Sequence, residues 1–409
     1  MKSAGYRTLW AGKHHGGDHP LDRGFDRYYG LMEGASNHFN PGPQREGESQ
    51  PAQKRPDRPF YIDRILHQPY PVPNDYYSTD YFTKYAIDWL EEYQAEQKPF
   101  FLYLSYTAPH DPLMAWPEDI AKYRGTYSEG YEIIRQRRFE KQKALGIIHT
   151  DHTLTNSTHV PWSSLSDSLR RIEEQKMEVY AAMIDRMDQK IGEIIQKLRD
   201  SGKLENTVFI FLSDNGASGE VVKLPGDGKI GGVGQWTSLG EDWANVGNTP
   251  LRFFKNYSFE GGIKTPLIIS WPTGLGHQNE INSFPSHLID IMPTMAELAN
   301  ADYPTSFLGK LILPWEGESL LPAIRKGKIQ RETPIFWEWS IGKAVRKGDW
   351  KLVAHGKTSP WELYDLKNDP YETKNLTAQF PEITRVMEAL FLEWKVKVSK
   401  VPSERMGTQ

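Results

Sequence analysis

Four short segments of this chain carry side chains that could act together on an anion. They are Gly12-Lys13-His14-His15, Pro109-His110-Asp111, Asp214-Asn215-Gly216, and the stretch KNYSFEGGIKT from Lys255 to Thr265. Asp and Asn oxygens are hard ligands of the kind that Ca²⁺ or Mg²⁺ takes. Two lysines and two histidines nearby would surround a multiply charged anion and stabilise charge developing on a leaving oxygen. Zinc fits poorly, because the set lacks the histidines and cysteines of a closed site. Taken singly, each segment has a plainer reading. Asp-Asn-Gly is a common turn, Glu-Gly-Gly a tight bend, Pro-His a surface feature, and Gly-Lys-x-His is short enough to arise by chance. Their placement argues for them as a set, since each directly follows or precedes an apolar run.

Those runs are the elements that must position the four segments. Gly5 reads as a helix stop and Arg7 to Ala11 as a short strand. From Ser78 or Thr79 a helix begins whose Tyr81, Phe82, Tyr85, Trp89, Leu90 and Tyr93 recur at helical spacing. PFFLYLSY (Pro99 to Tyr106) is a continuous apolar strand of the type buried on both faces in a parallel sheet. A long helix follows from Ser168 to Leu198, with Leu169, Ile172, Val179, Met183, Met187, Ile191, Ile194, Ile195 and Leu198 facing inward and Gly202 closing it. TVFIFLSDNG (Thr207 to Gly216) and TPLIISWP (Thr265 to Pro272) repeat the pattern of buried strand and polar loop. In open parallel sheets, function collects at loops beyond the strand C-terminal ends, where these segments fall.

Residues 34 to 76 are rich in Gly, Pro, Asn, Gln and Arg and read as a long surface excursion. After about residue 330 the texture changes to short alternating segments, PIFWEWS, AVRKGDWKLVAH and WELYDL, then a helix from Pro381 to about Val398. The expected architecture is α/β, with a mostly parallel central sheet flanked by helices. A smaller C-terminal domain of antiparallel sheet plus helix follows, and the division is 1–330 and 331–409.

Composition narrows the partners. The 409 residues carry a net charge of −4, which gives no argument for nucleic acid. No run of about twenty apolar residues exists, so no membrane span is expected. There are no cysteines, which removes disulfides, thiolate metal sites and cysteine nucleophiles. Met1 to Leu9 lacks the apolar stretch of a signal peptide. Thirteen Trp and 20 Tyr would suit stacking on sugar rings, but core packing explains them equally.

Several long segments, in order, resemble the sulfatase family in its arylsulfatase branch, within the alkaline-phosphatase superfamily. They are AGYRTLWAGKHHG, RGFDRYYGL, MEVYAAMIDRMDQKIGEII leading to FIFLSDNGA, NTPLRFFKNYSFEGGIKTPLIISWP, and the late GDWKLV and WELYDLKNDPYETKNL. The resemblance implies an alkaline-phosphatase-like fold and a sulfuric ester hydrolase acting on an aryl or carbohydrate sulfate. It implies Asp214 and Asn215 as ligands of Ca²⁺, ahead of Mg²⁺. Lys13 would bind sulfate and steady the nucleophile, and His15 would handle the nucleophile's proton. His110 and Lys255 would contact the ester side and help the alcohol depart, while Lys264 takes no such role. A periplasmic or secreted location is implied for the full-length protein.

Two departures stand out. The family's upstream Asp pair and its Cys-or-Ser-x-Pro-Ser-Arg motif, the source of formylglycine, have no counterpart here. Val401-Pro402-Ser403-Glu404-Arg405 has the wrong order and place. The expectation is therefore an N-terminally incomplete sulfatase whose own turnover is in question and whose absent strand would leave apolar edges exposed. Phe259 and Trp339 also occupy positions where relatives often have His. Two other readings remain open: a non-catalytic sulfated-glycan binding protein, and a phosphodiesterase or phosphonate hydrolase of the same superfamily.

Overall fold

The computed structural model describes residues 1–276, 279–307, 309–327 and 331–399. At its centre β1 (Arg7–Gly12) lies between β2 (Arg27–Leu31) and β5 (Phe100–Ser105), parallel to both. The hairpin β3 (Phe60–Ile62) and β4 (Ile65–His67) continues the sheet antiparallel beyond β2, giving the order β4-β3-β2-β1-β5. Helix α1 (Ser78–Glu92) covers one face, where its Phe82, Ala86 and Trp89 pack on Leu9, Ala11, Tyr29 and Leu31. Each large side chain buried there contributes about 1.5–3 kcal/mol. Helix α2 (Gly130–Ala144) comes next, before α3 (Asp167–Asp200), whose first turn is capped by Ser166 through a 3.3 Å bond from the Leu169 amide.

β6 (Phe209–Leu212) and β7 (Leu267–Ser270) form a separate antiparallel pair. A small ladder of β8 (Ser306–Phe307) and β9 (Lys310–Leu311) follows. Strands β10 (Ile335–Trp339), β11 (Gly342–Lys347), β12 (Trp350–His355) and β13 (Glu362–Asp365) make an antiparallel sheet in chain order. Helix α4 (Pro381–Ser399) sets Met387 and Phe391 against Val345, Leu352 and Leu363 on one face of it. The other face packs Ala344, Val353 and Tyr364 around Phe259, just downstream of Lys255. This contact joins the late sheet to the chemistry-bearing loop.

The α/β class and the late antiparallel sheet agree with expectation, and four details correct it. The central sheet is mixed rather than mostly parallel, because the β3–β4 hairpin adds to it and β6 does not. β5 is not buried on both faces: it pairs only with β1 among the described residues, and Tyr103 stays 46 % exposed. β7 likewise turns Ile268 outward. Leu169 and Ile172 sit in the first turns of α3, beyond the body they were expected to face, and are exposed.

The fourth correction concerns residues 34–76, an excursion that is exposed over much of its length but anchored by a buried set. Asn37, His38, Asn40, Ala52, Phe60, Tyr70 and Tyr76 are all buried. Side-chain amides do the work of regular backbone pairing there. Asn37 Oδ1 accepts from the amides of Phe39 and Asn40, and its Nδ2 donates to the carbonyls of Ala52 and Val233. A segment satisfied in this way can be buried without any hydrophobic period.

Candidate active site

Lys13 leaves the end of β1 in a turn held from both sides. Its amide donates to the Ser105 carbonyl at 2.8 Å, Ser105 Oγ donates to the Lys13 carbonyl at 2.6 Å, and the His14 amide donates to the Leu31 carbonyl at 2.8 Å. The ends of β5 and β2 thus fix the direction in which the next side chains project. His15 takes a left-handed φ of 56°. Its ring lies against Gly34, where a Cβ would stand 2.6 Å from Nε2 and push the ring aside.

His110 sits on a loop anchored from below. The buried His38 meets the His110 carbonyl through Nε2 at 3.2 Å and Ser78 Oγ through Nδ1 at 2.8 Å. Burial pushes the His38 imidazole down to about 4, so it is neutral at physiological pH. Asp111 Oδ1 stands 2.9 Å from His110 Nδ1, and Asp111 Oδ2 accepts from Ser238 Oγ at 2.7 Å. Burial works upward on the Asp111 carboxyl. The hydrogen bonds and charge of His110, with Ser238, outweigh it and hold the group below its ordinary value.

The loops carrying Asp214 and Lys255 are laced together by backbone bonds. The Gly216 amide donates to the Gly262 carbonyl at 3.0 Å and the Lys255 amide to the Ala217 carbonyl at 3.0 Å. Asn248 spans both: its Oδ1 accepts from the Ala217 amide, and its Nδ2 donates to the carbonyls of Phe253 and Gly261. Lys255 Nζ reaches His110 Nε2 at 3.3 Å and Glu220 Oε2 at 2.9 Å. An ammonium can only donate, so His110 accepts at Nε2 and carries its proton on Nδ1, which donates to the Asp111 carbonyl at 2.8 Å with the Asp111 carboxylate alongside.

The six residues singled out from sequence line one broad cleft. Lys13 is half-buried, and desolvation lowers its ammonium; Asp214 opposes that shift and Lys255 adds to it. The His15 imidazole is lowered by desolvation first, then by Lys13, His110 and Lys255, with Asp214 acting against them. His15 is therefore ready to accept a proton at neutral pH. Asp214 is exposed on its turn, and Asn215 Nδ2 bonds the Gly216 carbonyl at 2.9 Å. Lys264 also lines this cleft, with its side chain 53 % exposed and 3.9 Å from Glu260.

Asp214 and Asn215 supply hard oxygens of the right kind for calcium, but two donors fall short of its six to eight. Among the described residues no group of three or more His, Cys, Asp or Glu is arranged to hold a metal ion. The residues present do not make a calcium cage by themselves. The chain also has no cysteine that could become formylglycine.

Sequence reasoning placed Asp111 in a candidate segment without giving it a role, and missed His38, Asn248 and Glu220 as parts of this arrangement. Asp111 adjoins His110 and Asn248 falls within a quoted family segment, so both carried a signal. Glu220 carried none. Phe259, a departure from the family pattern, is a buried core residue with the Arg252 guanidinium over its ring at 4.9 Å. Residues 401–405 lie outside the described residues.

An α/β scaffold whose strand-end loops gather two lysines and two histidines beside an acidic turn defines an enzyme of tetrahedral oxyanion esters. Known proteins say which. Residues 1–301 match the family description Sulfatase, and residues 251–397 match the C-terminal region of N-sulphoglucosamine sulphohydrolase. An uncharacterized sulfatase of Schizosaccharomyces pombe is 33 % identical, over 98 % of this chain and 76 % of its own length. The arylsulfatase of Klebsiella aerogenes is 34 % identical, over 78 % of this chain and 71 % of its own. The solved structure of Ps i-CgsB in complex with k-i-k-neocarrahexaose has a TM-score of 0.68 at 23 % identity, covering 96 % of this chain and 72 % of that one. The chain belongs to the sulfatase family, whose members are sulfuric ester hydrolases. No described helix is long and apolar enough to cross a membrane.

Proposed function

We propose that the complete protein hydrolyses a sulfate ester by the calcium- and formylglycine-dependent chemistry of its family, and that the nucleophile is not among these 409 residues. In this reading the chain's own residues supply the sulfate-binding and leaving-group half of the site. The observation that carries the reading is the convergence of Lys13, His15, His110 and Lys255, from three separate loops, beside Asp214. Lys13 offsets the charge of the sulfate oxygens. His15, depressed into its neutral form, accepts the proton of the attacking group. Lys255, backed by the His110–Asp111 pair, presents an N–H to the ester oxygen as it leaves. Asp214 and Asn215 would contribute two of the oxygens around the cation.

The test uses matched 4-nitrophenyl sulfate and 4-nitrophenyl phosphate with added Ca²⁺, and calorimetric binding of inorganic sulfate alongside. The expected outcome is saturable sulfate binding that Lys13→Ala removes, with any turnover favouring the sulfate ester. Preference for the phosphate ester would instead assign a phosphodiesterase or phosphonate hydrolase. Binding without turnover by the complete protein would assign a sulfated-glycan binding role. Absence of both would sink the reading. We further propose a periplasmic or secreted location, supported by the family resemblance alone; fractionation of producing cells tests it.

A further inference from the structure

The second departure from the family pattern, Trp339, lies where it can meet substrate. It ends β10, and the tip of the β10–β11 hairpin rests on the loop after Lys255. A Cβ at Gly342 would stand 2.9 Å from Ser258 Oγ and 3.4 Å from the Asn256 carbonyl. This close seating brings the indole to the cleft, where Trp339 remains 57 % exposed although it is a large aromatic. Its orientation is fixed, since Nε1 donates to Asn256 Oδ1 at 3.0 Å. Asn256 holds a left-handed φ of 80° and donates through Nδ2 to Glu220 Oε1 at 3.3 Å. Glu220 then binds Lys255, which binds His110. A continuous line of contacts therefore runs from an exposed ring to the pair assigned to the leaving oxygen.

We propose that Trp339, Asn256 and Glu220 form the subsite for the alcohol part of the substrate, and that this alcohol is a sugar. The inference rests on the sulfate-ester reading above and names its substrate class. An exposed indole held at one edge offers its face to a flat, weakly polar ring. The carboxylate and amide beside that face accept from and donate to hydroxyl groups. Beyond their bonds to Lys255 and Trp339, the carboxylate and the amide keep lone pairs and an N–H that sugar hydroxyls can use and a plain aryl ring cannot, which favours a sugar. A cationic alcohol such as choline would suit the indole face. It would also need a free negative charge, and the Glu220 carboxylate is already engaged by Lys255, whose ammonium helps hold it below its ordinary value against burial.

Calorimetry on the full chain tests this with inorganic sulfate, glucose 6-sulfate, galactose 6-sulfate, N-acetylglucosamine 6-sulfate, phenyl sulfate and choline sulfate. At least one hexose sulfate should bind about tenfold more tightly than inorganic sulfate, a gain of about 1.4 kcal/mol. Trp339→Ala should abolish that gain and leave inorganic sulfate within about twofold of its original affinity. Trp339→Phe, which keeps a stacking face, should retain most of the gain. The subsite is refuted if Trp339→Ala preserves the hexose gain or weakens inorganic sulfate equally. It is also refuted if phenyl or choline sulfate outbinds every hexose sulfate, or if no hexose sulfate exceeds inorganic sulfate. Failure to bind sulfate in any form would overturn the underlying reading instead, so the two failures are separable.

Discussion

His110 stands between a carboxylate and an ammonium: Asp111 Oδ1 is 2.9 Å from its Nδ1, and Lys255 Nζ is 3.3 Å from its Nε2. This fixes the tautomer and lets the imidazole steady Lys255 while charge builds on the departing oxygen. Asp111→Asn should therefore lower turnover of the active protein by roughly two orders of magnitude, the lower end of the range typical of acid–base assistance. The loss should depend on the leaving group. Nitrophenolate leaves without much help, so 4-nitrophenyl sulfate should suffer least and an alkyl sulfate most. Equal losses on both esters would show that Asp111 merely supports the loop.

His15 lies among basic neighbours that include the Lys13 and Lys255 ammoniums, and removing one should be visible directly. Desolvation first, then Lys13, His110 and Lys255, hold its imidazole below the usual value. Lys13→Ala should raise the His15 titration midpoint, and so should sulfate bound to the intact protein, because either change makes the protonated ring less costly. Sulfate affinity should correspondingly increase as pH falls through that midpoint. Imidazole NMR across the pH range measures both shifts. A downward or absent shift in Lys13→Ala would separate the two side chains.

Buried His38 gives the fold an acid-sensitive point under the His110 loop. Its folded value of about 4 lies below the unfolded one near 6.5. A depressed histidine favours the unfolded chain once pH drops below the unfolded value. Stability should thus be fully present above about pH 6.5 and decline toward pH 4, by at most about 1.4 kcal/mol per unit. His38→Gln, which cannot titrate, should flatten that slope in urea unfolding between pH 7 and 4.5, even if it is less stable at neutrality. An unchanged slope would remove His38 as its source.

The parts of this molecule legible in sequence were those written locally. The apolar runs at Arg7 to Ala11, Pro99 to Tyr106 and Thr207 to Gly216 declare strands because their neighbours are apolar too. Lys13, His15, His110, Asp214 and Lys255 could be picked out because each adjoins such a run. What was not legible depends on distant partners. Asp111 meets Ser238 across 127 positions and Asn37 meets Val233 across 196. Neither pairing leaves a periodic trace. The exposure of Tyr103 was hidden for a related reason: an apolar run records that a strand is apolar, but not which neighbours cover it.

Lys351 offers the most direct stability test, because it is a fully buried cation between two buried carboxylates. Its Nζ lies 2.8 Å from both Glu260 Oε1 and Glu372 Oε1, and the Glu260 amide donates to Glu372 Oε2 at 2.8 Å. One lysine cannot fully compensate two carboxylates. Burial raises both, but Lys351 and its basic neighbours hold Glu260 below its ordinary range. Burial and the Glu260 charge leave Glu372 above it. Lys351→Met keeps much of the volume and removes the charge, setting two carboxylates face to face without a cation. Removing one partner of a buried ion pair costs about 3–5 kcal/mol, so the variant should unfold at markedly lower denaturant. Adding Glu260→Gln and Glu372→Gln should recover part of that loss by removing the stranded charges. The Lys255 loop lies just before Glu260, so sulfate affinity should fall in the single variant and return in the triple one. If chemical unfolding shows a change below about 1 kcal/mol in Lys351→Met, the triad does not hold the late sheet to the site.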